Sequence, residues 1–159
     1  MTNIKSTISG DIDKAYADTQ LLDLGCSTTD VFPLFYSINA SKLGQDVDGE
    51  AAGDYSGNSV AISSNGKVMA IGAYYNNNQT GHVRVYRLTD TDSWEQIGND
   101  LDGSAEGNEM GYSVSLSHDG NTLAVGEHYY SDGSLTYNGS VSIYVLTDEQ
   151  YTIRHQIFG

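Results

Sequence analysis

The sequence contains almost no cysteine or proline: Cys26 and Pro33 are the single examples in 159 residues. One cysteine excludes an intrachain disulfide framework and any zinc site built from several cysteines. Long apolar runs are also lacking, because no segment approaches the roughly 18 consecutive apolar residues of a membrane-spanning helix. No apolar segment typical of a signal peptide occurs in residues 1–20. We therefore expect no membrane insertion, and no signal peptide is visible.

Basic residues are scarce as well. Lysine and arginine number 7 against 21 acidic residues, which gives a formal net charge of −14. A surface this acidic repels nucleic-acid phosphates and anionic membranes, so we expect neither as a partner. Three explanations of the acidity stay open from the sequence: cation binding, a salty medium, or plain solubility.

Glycine is abundant, with 18 residues, and 38% of the chain is hydrophobic. The glycines do not recur at every third position as in collagen, and apolar residues alternate with polar ones in several segments. The chain is also long enough to bury a core of its own. These features predict a turn-rich, mostly β protein.

One long stretch of the chain is written twice. SVAISSNGKVMAIGAYY begins at Ser59 and SVSLSHDGNTLAVGEHYY begins at Ser113, an offset of 54 residues. A second matching pair follows after a loop, GHVRVYRLTD from Gly81 and GSVSIYVLTD from Gly139. Self-similarity at a period of this size is the signature of a repeat protein.

Each copy is expected to contain four strands. Asn65-Gly66 in the first copy and Asp119-Gly120 in the second are strong signals for hairpin turns. In the first copy the predicted strands lie around Val60 and Ile62, over 68–73, over 82–88 and around Trp94 and Ile97. In the second copy, the strands after the Asp-Gly turn are predicted over 122–126, over 140–146 and around 153–157. Four short antiparallel strands in about 55 residues describe one propeller blade.

The predicted fold is therefore all-β, with two four-stranded antiparallel propeller-type blades and an irregular N-terminal arm. Residues 1–41 would form the arm or docking segment, residues 42–98 the first blade and residues 99–159 the second. A strand over about residues 34–40 would dock on the first repeat, with Pro33 at its start. Closed propellers have four to eight blades. We therefore expect a homo-oligomer, part of a larger assembly, or a piece of a longer propeller.

Several short motifs carry a family resemblance. The segments 57–60 (GNSV) and 111–114 (GYSV) are similar to an opening FG-x-S-V motif, and 70–73 (AIGA) is similar to its closing GA. Residues 94–103 resemble a W-x-Q-x-G-x-D-x-x-G joint between repeats. Over residues 42–159 the chain thus resembles the FG-GAP-like repeat proteins, whose integrin-type members form β-propellers. The resemblance implies a binding or adhesion module.

The chain departs from this family at the calcium loop of the D-x-[DN]-x-D-G type. The corresponding segments are Ser63–Lys67 and Ser117–Asn121, with at most one carboxylate each. Calcium needs six to eight oxygen ligands, largely from carboxylates. The usual calcium site is therefore not carried over, and we expect no metal and no cofactor there.

The joints between units hold the remaining cation candidates. Asp46 and Asp48, with Asp54, begin the first unit, and Asp100 and Asp102, with Glu106, begin the second. Residues two apart on an extended strand point to the same side, so each pair could present two carboxylates together. Alternatively, Asp-Gly makes a turn and its neighbour is merely solvated. The turn is the favoured interpretation, and cation binding stays open.

Aromatic residues cluster at equivalent loop entries. The candidate ligand-binding residues are Tyr74, Tyr75, His128, Tyr129 and Tyr130, beside Asn and Asp residues. Aromatic rings stack on ligands while polar tips form hydrogen bonds, which suits a protein or glycan partner. The favoured alternative is that some of the tyrosines pack between blades and the others are solvated.

No catalytic residue can be nominated. Ser59 lacks the final glycine of a G-x-S-x-G elbow and precedes a strand instead of a helix. We expect a non-catalytic module for protein or glycan binding and adhesion, at an extracellular, cell-surface or virion location. The alternative is a structural subunit of a surface layer, fibre or virus particle that assembles through its N-terminal arm.

Overall fold

Two antiparallel sheets make up the part of the chain that the computed structural model describes, residues 42–131 and 137–159. The predicted arm, residues 1–41, and the strand expected over residues 34–40 lie outside the described residues. Among the described residues the only helical element is one short turn, α1, at Asn76–Gln79. The prediction of an all-β fold with two blades is confirmed.

The first blade is a meander of neighbouring strands. Its elements are β1 (Ser59–Ile62), β2 (Val68–Ala73), α1, β3 (His82–Leu88), β4 (Trp94–Gln96) and β5 (Leu101–Asp102). Both β4 and β5 pair with β3, one at each end, so the expected fourth strand is divided into two pieces. Gly98 lies in the interruption with φ of 69°, a left-handed conformation that breaks an extended strand.

The second blade repeats this order with an unbroken fourth strand. Its elements are β6 (Met110–Leu116), β7 (Thr122–Glu127), β8 (Ser140–Thr147) and β9 (Gln150–Phe158). The register of β6 against β7 shifts between Met110 and Ser113, where Gly111 has φ of 82°. The long β9 is more regular than its weak sequence pattern predicts, because it pairs along the whole of β8.

The hairpin turns after β1 and β6 are closed by the same arrangement. Asn65 Oδ1 accepts hydrogen bonds from Ser63 Oγ at 2.7 Å and from the backbone N–H two residues on at 2.9 Å. Asp119 Oδ1 accepts from Ser117 Oγ at 2.6 Å and from the corresponding N–H at 3.0 Å. The hydrogen bond from Ser117 contributes most to lowering the pKa of Asp119. The predicted Asn-Gly and Asp-Gly turns are confirmed.

The core lies between the facing surfaces of the two blades. Its members alternate along the central strands, because successive side chains of a strand point to opposite faces. They are Val68, Ala70, Val83, Val85, Ile97 and Leu101 from the first blade and Met110, Leu123, Val125 and Tyr151 from the second. The backbones of β2 and β6 approach closely, since a Cβ on Gly72 would lie 2.1 Å from the carbonyl oxygen of Gly111. Ser59 Oγ donates a hydrogen bond to that oxygen at 2.7 Å.

Each blade also has an outer face with exposed apolar side chains. On the first blade, Val60 and Ile62 are 55% and 57% exposed. On the second blade, Val141 pairs with Ile157, and both are exposed. Val141 is the repeat equivalent of the core residue Val83. The face of the first blade that packs against the second blade therefore has an equivalent on the second blade. No described residue packs against that equivalent face.

Candidate functional site

A continuous row of aromatic rings crosses one end of both blades. Neighbouring ring centroids lie 4.3 to 5.6 Å apart, in stacked, tilted and edge-on arrangements. The members of this aromatic row are Tyr55, Tyr74, Tyr75, Tyr112, His128, Tyr129 and Tyr137. Such spacings are typical of attractive aromatic pairs.

Equivalent strand ends bring the row together. Tyr74 and Tyr75 follow β2, and His128 and Tyr129 follow β7, the equivalent strand of the neighbouring blade. Tyr112 of β6 connects the two halves, with centroids 5.4 Å from Tyr74 and 4.5 Å from His128. Stacking of the blades therefore turns two separate aromatic pairs into one surface.

Most of the row faces solvent. Tyr55, Tyr75, Tyr112, His128, Tyr129 and Tyr137 are exposed, while Tyr74 is half-buried. The most accessible ring, Tyr137, is 71% exposed. Loss of water around the hydroxyl of Tyr74 raises its pKa. A row of exposed rings offers apolar contact area at low entropic cost.

Four of the five aromatic candidates from the sequence meet in the row, and the fifth lies elsewhere. The ring of Tyr130 packs instead against Phe158, at 5.2 Å between centroids. Sequence reasoning missed Tyr55, Tyr112 and Tyr137. No repeat signal could identify the first two, because their equivalents are Glu109 and Asn58. Ligand binding by the candidate residues remains a prediction.

Polar groups border the row on the side of the second blade. A concave surface there is lined by Tyr129 and Tyr137 together with Gln79, Glu106, Asn108 and Ser131. Glu106 Oε1 accepts a hydrogen bond from Asn78 Nδ2 at 3.2 Å. Beneath the rings, the buried Glu109 places Oε2 3.7 Å from His128 Nδ1. Aromatic area and hydrogen-bonding groups thus lie side by side.

A second polar group borders the row on the side of the first blade. Asn76 Nδ2 donates to Asp54 Oδ2 at 2.9 Å and to Glu50 Oε2 at 3.2 Å. The backbone N–H of Tyr75 donates to the carbonyl of Asp54 at 3.3 Å. In α1, Asn77 and Asn78 have φ of 49° and 56°, a left-handed conformation that asparagine tolerates better than most residues.

The joint aspartates do not share one role. Asp46 pairs with Lys42, and the backbone carbonyl of Asp48 accepts a hydrogen bond from Arg84. Asp102 lies in β5, exposed to solvent. Asp100 alone joins a group with metal-ligating chemistry. That group, Glu50, His82 and Asp100, is the one set of three such side chains within 4.8 Å among residues 42–131 and 137–159.

The two stacked sheets define a class of protein. Two antiparallel meanders are stacked face to face, and the loops after equivalent strands meet at one end, as in neighbouring blades of a β-propeller. A family model of the FG-GAP repeat matches residues 46–86, which comprise the first joint, β1, β2 and most of β3. The first blade is therefore similar to an FG-GAP repeat. No curated protein matches the chain.

The described residues, 42–131 and 137–159, include no helix with both the length and the apolar character needed to cross a membrane.

Proposed function

We propose that the chain is a non-catalytic binding module whose aromatic row contacts extended glycans. The observation that carries this proposal is the unbroken series of aromatic rings across both blades, all of them exposed except the half-buried Tyr74. The apolar faces of sugar rings pack on aromatic side chains, and their hydroxyl groups need hydrogen-bonding partners nearby. Glu106 and Gln79 supply such partners beside Tyr129 and Tyr137. A linear row suits a chain-like ligand better than a small compact one.

The resemblance to FG-GAP repeats supports this role, because adhesion and recognition are the functions that this resemblance implies. Glycans at a cell or virion surface would be the natural ligands, so the proposal includes an extracellular, cell-surface or virion location. Neutral or basic glycans are favoured over sulfated ones, because the net charge of −14 repels anions.

Glycan-array binding followed by titration of the best ligand tests the proposal. The double substitution Tyr129→Ala with Tyr137→Ala removes two exposed rings, and we expect at least a tenfold loss of affinity. Tyr130→Ala is the matched control, because this tyrosine packs on Phe158 outside the row. Equal losses in both variants, or no glycan bound by the unmodified chain, would contradict the proposal.

A second candidate function, assembly into a larger structure, is favoured by the exposed apolar side chains on the outer faces of both blades, which no described residue covers. We propose that a second copy of the chain stacks head to tail, with the outer face of one second blade on the outer face of the next first blade. The support is internal: the first blade presents Val83 and Val85 to the second, whose outer face repeats them as Val141 and Ile143. Heterologous contacts of this kind form rings or filaments.

Sedimentation of purified chain measures this assembly. Val60→Asp places a charge on the outer face of the first blade and should shift the mass toward the monomer. Thr91→Asp, in the turn between β3 and β4, is the control for added charge. Deletion of residues 1–30 separates the two routes of assembly. Loss of assembly in the deletion but not in Val60→Asp would assign it to the N-terminal arm.

A further inference from the structure

Three ligand-type side chains converge beside β3 from distant parts of the first blade. His82 begins β3, Glu50 lies in the joint before β1, and Asp100 lies between β4 and β5. His82 Nδ1 is 3.7 Å from Glu50 Oε2 and 3.9 Å from Asp100 Oδ2. The convergence depends on the fourth strand, because after its interruption the chain runs on along β3, and β5 pairs with the start of β3 just beyond Asp100.

The histidine at the centre of this group is buried without a hydrogen-bonded partner in the described part of the chain. Only 2% of its surface is exposed. Both carboxylates point at Nδ1 from beyond hydrogen-bonding distance, which ends near 3.2 Å for N–H···O. The buried imidazole nitrogen therefore faces two carboxylate oxygens across a gap that no hydrogen bond among the described residues closes. A direct ion pair would close the gap.

Further side chains orient the two carboxylates. Gln96 Nε2 donates to Asp100 Oδ1 at 2.6 Å, which leaves Oδ2 as the oxygen on the side of His82. Asn76 Nδ2 holds Glu50 Oε2 at 3.2 Å. Partners of this kind fix the direction of metal ligands, and their loss commonly weakens binding by about 10–100-fold.

We propose that Glu50, His82 and Asp100 bind a divalent transition-metal ion, with Zn²⁺ the best fit. A tetrahedral ion with bonds of about 2.1 Å separates its ligand atoms by about 3.4 Å. The separations of 3.7 and 3.9 Å from His82 Nδ1 need to contract by a few tenths of an ångström, which movement of the Glu50 and Asp100 side chains, 48% and 27% exposed, can provide. An imidazole ligand favours Zn²⁺ over Ca²⁺ or Mg²⁺, and three protein ligands are too few for Ca²⁺.

The site belongs to the first blade only. The repeat equivalents of Glu50 and His82 are Ser104 and Ser140. The ion would tie the joint, β3 and the broken fourth strand together, and Asn76 connects it to the loop that carries Tyr75. Its predicted effect is to stabilise the first blade at the end where the aromatic row lies. This inference does not depend on glycan binding.

Calorimetric titration of the full chain with Zn²⁺ alone, after treatment with a chelator, tests the site. We expect one ion per chain, at least tenfold weaker binding in Glu50→Gln and in Asp100→Asn, and a change below twofold in Asp48→Asn. Asp48 is the matched control, because it carries the same charge in the same joint and lies outside the group. Thermal melting should show that Zn²⁺ raises the Tm of the unmodified chain and of the control, and not that of the two ligand variants.

His82→Gln supplies an independent variant. Because His82 is buried, its folding is checked first by circular dichroism, and the two carboxylate variants carry the test if it does not fold. Stoichiometric binding that survives in both Glu50→Gln and Asp100→Asn would overturn the proposal, since another site would then hold the ion. Absence of Zn²⁺ binding, or tighter binding of Ca²⁺ than of Zn²⁺, would overturn it as well.

Discussion

The two blades share the order of their first three strands and differ in the polar residues at the end of one strand pair. In the first blade, Ala73 at the end of β2 pairs with His82 at the start of β3. In the second blade, the equivalent pair is Glu127 with Ser140. All four residues are buried. The repeat thus preserves the apolar alternation that forms the core and varies the residues at this strand end. A polar or ligand-binding group can change there without disturbing the packing of the core.

The fourth strands show the same division. Trp94 pairs with Leu88, and Tyr151 pairs with the equivalent Leu146. Trp94 is half-buried and donates from Nε1 to the carbonyl of Leu43. Tyr151 is buried, and its hydroxyl donates to the carbonyl of Gly120. Burial raises the pKa of Tyr151 to about 12. The residue that pairs with this leucine is therefore a half-buried side chain bound to the joint in the first blade and a core residue in the second.

The largest expected effect tests this contrast. Tyr151→Ala should reduce the free energy of unfolding by about 3–5 kcal/mol, as for other large aromatic residues removed from a core. Trp94→Ala should cost about 1–2 kcal/mol, because part of its ring is already in water. Urea denaturation followed by circular dichroism measures both. Equal losses would show that the two fourth strands are equally buried.

A smaller effect is expected from the glycines next to the last residue of the equivalent strands β2 and β7. Gly72→Ala drives a Cβ against the backbone carbonyl of Gly111 in the other blade, at a cost of about 1–3 kcal/mol. Gly126→Ala meets Ser113 Oγ at 2.4 Å, a side-chain atom that can rotate away. Its expected cost is below about 1 kcal/mol. The same denaturation experiment compares the pair, and the reverse order would contradict the close approach of β2 to β6.

The buried polar pair of the second blade predicts a dependence on pH. Burial raises the pKa of Glu127, so the folded protein holds this proton more tightly than the unfolded chain. The resulting stabilisation is present below the ordinary pKa of the carboxyl and is lost as pH rises through the raised value. Glu127→Gln should therefore raise the Tm at neutral pH and have little effect in acid. Thermal melts across pH test this, with the exposed Glu106→Gln as control.

The smallest expected effect concerns the hairpin turns. Asp119→Asn gives the second turn the side chain that Asn65 supplies in the first. Because hydrogen bonds lower the pKa of Asp119, its stabilising contribution exists above the ordinary pKa and is lost as pH falls through the lowered value. We expect a slight fall in Tm at neutral pH that disappears in strong acid. A fall that persists in acid would point to a role other than charge.

Local patterns predicted much of the fold. The strands over residues 68–73 and 82–88 were predicted with the bounds that the structure has. The apolar alternation marks the length of each strand, and the Asn-Gly turn fixes the start of the first. The division of the fourth strand into β4 and β5 was not predicted. It depends on the left-handed conformation of Gly98 and on the burial of Ile97 in the core between the blades, which local alternation does not reveal. The predicted boundaries at residues 41 and 98 stay predictions.

The candidate sites were predicted in part. Tyr74, Tyr75, His128 and Tyr129 recur at equivalent positions, so the repeat alone identified them. Tyr112 became part of the row only through stacking, which places β6 beside the end of β2. The metal-type group shows the same limit. The sequence offered carboxylates two apart in a joint as cation candidates, with a plain turn as the favoured interpretation, whereas Asp100 meets partners about 20 and 50 residues away in the sequence.

The sequence by itself determined the repeat, the strands and the hairpin turns, because each depends on residues close together in the chain. Tertiary structure decided the aromatic row, which strand faces are covered among the described residues, and the meeting of Glu50, His82 and Asp100. These features depend on how one blade lies against the next and on how the interrupted fourth strand runs along β3. Side-chain alternation within a strand predicts which residues share a face, but only tertiary packing determines what that face contacts.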